Sequence, residues 1–446
     1  MQIPVIVVVP SQEPLRESAV ASAERRTARI DIREARLAGR LRIDPTQPAV
    51  PIGTGRLQDL ARASMEPGQS EAYAVSATMD VDRPEDVPAE VNGQRVFADP
   101  RIEPFVTCGG TPAVGGVASV KTSLKIAALH ARGLDGDNVA VAIMDTGVNL
   151  AHLTSRLPGT RLDVANSWTP PNTTTLPGKH PVDHGTMCAF DVLIAAPKAA
   201  LLDFPILAAS SPGGNIVGRT IGTAMQAFSQ LLTGWAVSFA PGGVSKYQGL
   251  VVNNSWGVYH PSWDFPPGHR GRYVDNPQHP FNLIVAAMAA AGIDILFASG
   301  NCGPACADMR CQSRTAGAIM GANAHPDVLT LGGCDTGDQI VGYSSQGPSI
   351  ANMFQQKPDV AAYTHFLGSE AFGAGVPDTG TSTACPVAAG CVAAMRTKLA
   401  PTTTPPTNLF AQIKATARAV PGQTGWQPDF GHGIIDPDAA ASSLGV

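Results

Sequence analysis

The sequence predicts an α/β fold: a three-layer sandwich with a mostly parallel central sheet and helices on both faces, plus a small N-terminal α+β domain. Three observations predict it. Continuous apolar runs recur from about residue 119 onward, as strands buried on both faces require. Helical segments fall between those runs, the alternation that builds a parallel sheet. Residues 1 to about 115 differ from the rest, being richer in Arg, Glu and Pro.

The N-terminal part, residues 1–106, carries three apolar segments: IPVIVVVP (3–10), EAYAVSATMDV (71–81) and QRVFADPRIEPF (94–105). Each reads as a strand, with polar, helix-like stretches between them. The first lacks a basic leader and a small-residue cleavage site, and Pro10 interrupts it, so it reads as a strand and not as a signal peptide. The run ERRTARIDIREARLAGRLR (24–42) interleaves acids with its bases and reads as a solvated helical face. TCGGTPAVGG (107–116) is a Gly-rich stretch inside a linker at 107–118, ahead of a second domain at 119–446.

In that second domain the predicted strands are NVAVAIM (138–144), AALLDFPIL (199–207), LVVNN (250–254), DILFAS (294–299) and DVLTLGG (327–333). The predicted helices are VASVKTSLKIAALHARG, GTMCAFDVLIAA, VGRTIGTAMQAFSQLLT and FNLIVAAMAAAG. GTSTACPVAAG (380–390) reads as the start of another buried helix.

Composition narrows the class. Charged residues are 15 % of the chain, which argues for a well-buried globular protein. A net charge of −5 points away from nucleic acid and from anionic membrane surfaces as partners. No apolar run reaches the roughly 20 residues a membrane helix needs. Eight Cys scattered through a large chain are no disulfide scaffold, and a reducing, cytoplasmic setting is expected.

Chemistry in an open α/β sheet belongs at the carboxyl ends of the strands. There the sequence places MDTG, NNSWG and SGN. Four motifs combine: AIMDTGVN with Asp145, DHGTMCAFDVL with His184, FASGNCG with Asn301 and GTSTACP with Ser382. Acyl transfer by a hydroxyl needs a nucleophile, an imidazole base and a carboxylate to orient the base. A side-chain amide and a backbone N–H at a helix start can hold the oxyanion.

These motifs, in the order Asp, His, Ser, resemble the subtilisin-like serine proteases, the subtilases. The resemblance spans about residues 119–442, and FGHGIIDPDAA (430–440) is similar to the family's C-terminal segment. It implies a serine endopeptidase acting on peptide or protein substrates, with Asp145, His184 and Ser382 as triad and Asn301 as oxyanion donor. It also implies a first specificity pocket walled by Ser255, Trp256 and Gly257 on one side and Ala298, Ser299 and Gly300 on the other. Thr383, Cys385 and Val387 stand where the family usually has Met, Ala and His, which alters packing behind Ser382. SWG also resembles the kexin-like branch, but SWGVYHPSWDF has no acid before Asp264, so a dibasic preference does not carry over.

QRVFADPRIEPF looks like the last strand of subtilase propeptides. The resemblance implies that the N-terminal domain can inhibit the site intramolecularly; otherwise it is a plain accessory domain. Relatives often bind calcium, but no calcium loop is identified here, and no catalytic metal or cofactor is expected. Cys302, Cys306 and Cys311 match no zinc spacing and are expected as free thiols or as a local disulfide. Cys188 and Cys385 are expected to be packing residues, and His180 a loop residue. Three rivals are a sedolisin-type acid peptidase, a transpeptidase or macrocyclase with the same triad, and a non-catalytic peptide-binding module. The first would carry Glu in place of His184 and Asp in place of Asn301.

Overall fold

A computed structural model describes residues 1–10, 41–44, 46–52, 72–105, 107, 111–171, 173–208, 219–238 and 247–446. The basic run at 24–42 lies outside these apart from Leu41 and Arg42, as do the expected helical stretches between 11 and 40. The chain forms two compact units.

The first unit comprises Met1–Arg101, Gly218–Val244 and Pro261–Ala291. Its sheet is antiparallel: β1 (Gln2–Pro10), β2 (Leu41–Ile43), β3 (Val50–Ile52), β4 (Ala72–Asp80), β5 (Glu90–Val91) and β6 (Gln94–Ala98). The order is β2-β4-β1-β6-β5, with β3 also paired to β4. The β-branched run in β1 explains its central place. Val5, Val7 and Val9 enter one core with Val75, Ala77, Met79, Val96 and Phe265. Ile6 and Val8 are buried too, on the opposite face by strand alternation. Two helices that the sequence reading places in the second domain belong to this unit: Ile221–Ser238 and Pro280–Ala290.

The second unit comprises Ile102–Val217, Ser245–His260 and Gly292–Val446. A two-stranded piece pairs β7 (Glu103–Pro104) with a later strand. The main sheet contains β8 (Val139–Met144), β9 (Arg161–Leu162), β10 (Ala200–Phe204) and β11 (Gly249–Asn254). β12 (Trp256–Gly257) is the antiparallel partner of β7. The main sheet continues with β13 (Asp294–Ala298), β14 (Leu329–Cys334) and β15 (Val360–Tyr363). Its order is β15-β14-β13-β11-β8-β10-β9, every pair parallel. All residues of β8, β11 and β13 are buried, which is why they read as unbroken apolar runs. The fold is the expected α/β sandwich with a parallel central sheet and an N-terminal antiparallel part.

Two wholly buried helices, His184–Ala195 and Thr381–Arg396, pack on each other and on the sheet. The second is tied at its far end: Arg396 Nε and Nη2 donate to the two oxygens of Asp294, 2.6 Å each, at the start of β13. The segment resembling the family's C-terminus is seated as well. Ile434 bridges Ala361 and Arg418, and Asp436 caps the helix Pro437–Ser443.

The structure departs from the sequence reading at several points. The helix predicted across 117–133 is two helices, Val117–Ser123 and Ile126–Ala131. Lys125 adopts a left-handed backbone (φ 54°), and the resulting break lets the near neighbours Leu124 and Ile126 both bury. β15 was not predicted, because VAAY is too short an apolar run to stand out. Of the two alternatives left open for Cys302 and Cys311, free thiols or a local disulfide, the disulfide is the one present. Cys306 is disulfide-bonded as well. Among the described residues no helix is long and apolar enough to cross a membrane.

Candidate active site

Asp145 follows β8 directly, and His184 opens its helix. The sheet exit and the helix start bring them together: His184 Nδ1 lies 2.7 Å from Asp145 Oδ1. The same carboxylate oxygen accepts from the Thr146 N–H at 2.7 Å. Both side chains are buried. Burial alone pushes the imidazole's pKa down, but the Asp145 charge and hydrogen bond outweigh it, with a smaller pull from Asp183, and the net shift is upward. The Phe105 carbonyl adds to that pull without an ordinary hydrogen bond, since His184 Nε2 has no hydrogen-bond partner among the described residues.

Ser382 is the second residue of its helix, so its N–H is one of the four that no helix can pair internally. Asn301 lies three residues past β13. Its Oδ1 accepts from Thr381 N and from Thr381 Oγ1, 3.0 Å each, which fixes the amide plane and leaves its Nδ2 turned elsewhere. Gly380 shows where. Its φ is 93°, and a Cβ there would sit 2.9 Å from Asn301 Nδ2, 3.3 Å from the Phe105 carbonyl oxygen and 3.4 Å from Ser382 N. Glycine thus keeps open a small space lined by two N–H donors, and only glycine adopts that backbone without strain.

Ser382 Oγ does not bond to His184. It donates to the Phe105 carbonyl at 2.7 Å. The residues before Phe105 run as an added strand, β7 against β12, with Phe105 N–H donating to Ser255 O at 3.2 Å. The Phe105 ring is buried and lies against both predicted pocket walls. A Cβ on Gly257 would come 2.6 Å from its Cζ, and one on Gly300 would come 3.4 Å from it. The ring also meets Tyr259 edge-on, centroids 5.2 Å apart.

The other predicted pocket residues support the walls from behind. Ser255 Oγ donates to Ser382 O at 3.0 Å. Asn323 Nδ2 donates to both Trp256 O (3.0 Å) and Ala298 O (2.9 Å), joining the two walls. Ser299 Oγ donates to Ser345 O at 3.3 Å, and Gly300 N to Thr381 Oγ1 at 3.1 Å. The Trp256 ring packs on Phe297 in the core.

Cys188, one turn after His184, is closer to the chemistry than a packing residue needs to be. Its Sγ is 3.6 Å from Asp145 Oδ2, 3.8 Å from His184 Nδ1 and 3.4 Å from Ser382 O. Asp145, His184 and Cys188 are, among the described residues, a grouping with metal-ligand chemistry, their ligand atoms within 4.8 Å of one another. A metal there would take the imidazole nitrogen that Asp145 already holds, so the two arrangements exclude each other. Cys385 is buried, as expected of a packing residue, and His180 is buried in its loop with Nε2 3.9 Å from Asp203 Oδ2. Sequence reasoning missed Tyr259, Thr381 and Arg310. Only Thr381 left a local signal, being adjacent to Ser382.

Comparison with known proteins shows the family. Residues 136–433 match the model of the subtilase family. Subtilisin of Bacillus pumilus is 24 % identical over 326 residues, 72 % of this chain and 97 % of that protein. Subtilisin E of Bacillus subtilis (strain 168) is 24 % identical over the same length, 70 % of its own. Among solved structures, fervidolysin from Fervidobacterium pennivorans, described as a keratinolytic enzyme related to subtilisin, aligns with a TM-score of 0.55 at 15 % identity. That alignment covers 99 % of this chain, which spans only 61 % of fervidolysin's length, and it speaks for the fold alone. The family match extends over more than half of the sequence, across both strand exits, the His184 helix and the Ser382 helix, and the chain belongs to the subtilase family of serine endopeptidases.

Proposed function

We propose that this endopeptidase cuts after a large apolar or aromatic residue with Asp145, His184 and Ser382 as its triad. Its own residues 103–105 lie in the cleft as an intramolecular inhibitor. The observation that carries the reading is the Ser382 Oγ–Phe105 carbonyl bond of 2.7 Å, made beside an imidazole already held by Asp145. Phe105 then stands for the residue whose carbonyl is attacked, and its ring fills the pocket between Gly257 and Gly300.

The chemistry follows. When a substrate carbonyl oxygen moves into the space that Gly380 leaves open, Asn301 Nδ2 and Ser382 N–H receive its growing charge. The Ser382 hydroxyl is then released to His184 Nε2, which takes its proton as the oxygen attacks. Asp145 stabilises the imidazolium. His184 returns the proton to the leaving amine, and water clears the acyl-enzyme by the same route.

Intact-mass measurement of the wild-type chain and of Ser382→Ala, with and without a fluorophosphonate probe, tests this. The wild type should gain one adduct and lose its first 105 residues, and the variant should do neither. A wild type that takes the probe but is never cut after Phe105 removes the inhibitor role. No adduct on any form sinks the triad.

A further inference from the structure

We propose that the cleft contains a subsite for an acidic side chain, two residues upstream of the attacked residue, and that Arg310 is the residue that reads it. The inference rests on the reading of residues 103–105 as a substrate surrogate. Phe105 takes the position next to the scissile bond, Pro104 the second and Glu103 the third. The strand pairing of β7 with β12 fixes that register: Glu103 pairs with Gly257 and Pro104 with Trp256.

Arg310 Nη1 bonds to Glu103 Oε2. The rest of the guanidinium is committed elsewhere, which makes the site directional. Its Nε and Nη2 edge grips Asp308 Oδ1 and Oδ2 at 2.9 and 3.2 Å. Its face stacks on the Tyr259 ring, 3.8 Å from the centroid, and Nη2 also donates to the Tyr259 hydroxyl at 2.5 Å. Asp308 and Tyr259 therefore hold the group flat with Nη1 presented to the third position. Tyr259 is bound in turn to the substrate-like strand, its hydroxyl donating to Pro104 O at 3.0 Å. Arg310 is 25 % exposed and Glu103 22 %, so the pair is shielded well beyond an ordinary surface ion pair. Arg310 is also on a braced loop. It lies within the ring closed by the Cys302–Cys311 disulfide, with Asp308 N–H donating to Asn301 O at 3.0 Å. A fixed guanidinium that presents Nη1 favours a carboxylate, holds a neutral amide less strongly and repels a cation.

The test uses enzyme prepared from the full chain and three coumarin-amide peptides: Ile-Glu-Pro-Phe, Ile-Gln-Pro-Phe and Ile-Lys-Pro-Phe. Wild-type kcat/KM should fall in that order, with Glu above Lys by roughly ten- to a hundredfold. Arg310→Ala should bring the three within about threefold, and Arg310→Glu should invert the order. Probe labelling of Ser382 shows that each variant is folded. Equal kcat/KM for the three peptides in the wild type overturns the subsite and leaves cleavage after Phe standing. A labelled wild type that cuts none of them overturns the subsite together with the surrogate reading. The intact chain gives a second readout. Glu103→Lys should speed probe labelling by loosening the strand, and adding Arg310→Glu should restore the slow rate. A double variant that labels as fast as the single one also overturns the proposal.

Discussion

Ser382 Oγ and the Phe105 carbonyl oxygen share a hydrogen bond of 2.7 Å, and His184 Nε2 is left without a partner among the described residues. The Ser382 hydroxyl proton is therefore engaged by the chain's own backbone before any substrate arrives. The intact chain should react slowly with a fluorophosphonate. Phe105→Asp places a charge where the ring is now buried between Gly257 and Gly300, and should raise the labelling rate at least about tenfold. Equal labelling rates for variant and wild type would remove Phe105 as the plug.

Asn301→Ala should lower kcat by roughly 10² to 10³ with the fold intact, a magnitude carried over from subtilisin. Thr381→Val should lower kcat too, though by less. It removes the hydroxyl that donates to Asn301 Oδ1 but keeps the Thr381 N–H that does the same. A Thr381→Val enzyme with unchanged kcat would mean that packing, not this bond, aims the amide.

Catalysis needs a neutral imidazole, and Asp145 holds the His184 pKa above its ordinary 6.5 despite burial. The acid limb of kcat/KM should therefore lie above pH 6.5, with activity rising as pH increases through it. In the residual activity of Asp145→Asn the limb should move to lower pH, because burial is then opposed only by the weaker pulls of Asp183 and the Phe105 carbonyl. A limb that stays in place would assign it to another group.

Asp191 on the His184 helix and Asp378 ahead of Ser382 form a buried carboxyl pair. Burial raises Asp378 to about 6. Burial, and then the Asp378 charge, hold Asp191 well above the usual carboxylate range. Two raised carboxyls bind protons in the folded state that the unfolded chain releases above its ordinary value of about 4. The pair's contribution to stability should accordingly be fully present below the unfolded value and be lost as pH rises through 6, by on the order of 3 kcal/mol for Asp378. Asp191→Asn keeps a donor without a titrating proton. Its melting temperature should match wild type at pH 4.5 and exceed it at pH 8; parallel melting curves across that range would contradict the pair.

Much of the site was legible because its chemistry is local in sequence. Asp145, Asn301 and NNSWG each stand at the end of an apolar run, where a parallel sheet puts functional groups. His184 and Ser382 each open a buried helix. What occupies the site was less legible. QRVFADPRIEPF resembled a propeptide's last strand, but the seat of Phe105 depends on a bond to Ser382, 277 residues away, and that of Glu103 on Arg310, 207 away. No periodicity encodes such pairings. Cys302 and Cys311 likewise pair through the turn between them, which their spacing alone did not select over free thiols. The break at Lys125 was hidden because a run of good helix formers masks one left-handed residue.

The Ser382 helix is fastened at both ends to the same strand. Thr381 grips Asn301 just past the exit of β13, and Arg396 grips Asp294 at its entry. Helix and strand thus behave as one riveted beam, with Ser382 and Asn301 at the same end. On warming, the two cannot drift apart while the rest of the molecule persists. Loss of activity and loss of near-UV circular dichroism should fall on a single curve. Arg396→Met would leave Asp294 buried without its counter-charge, at a cost of about 3–5 kcal/mol. It should shift both curves down together and leave turnover at low temperature nearly unchanged.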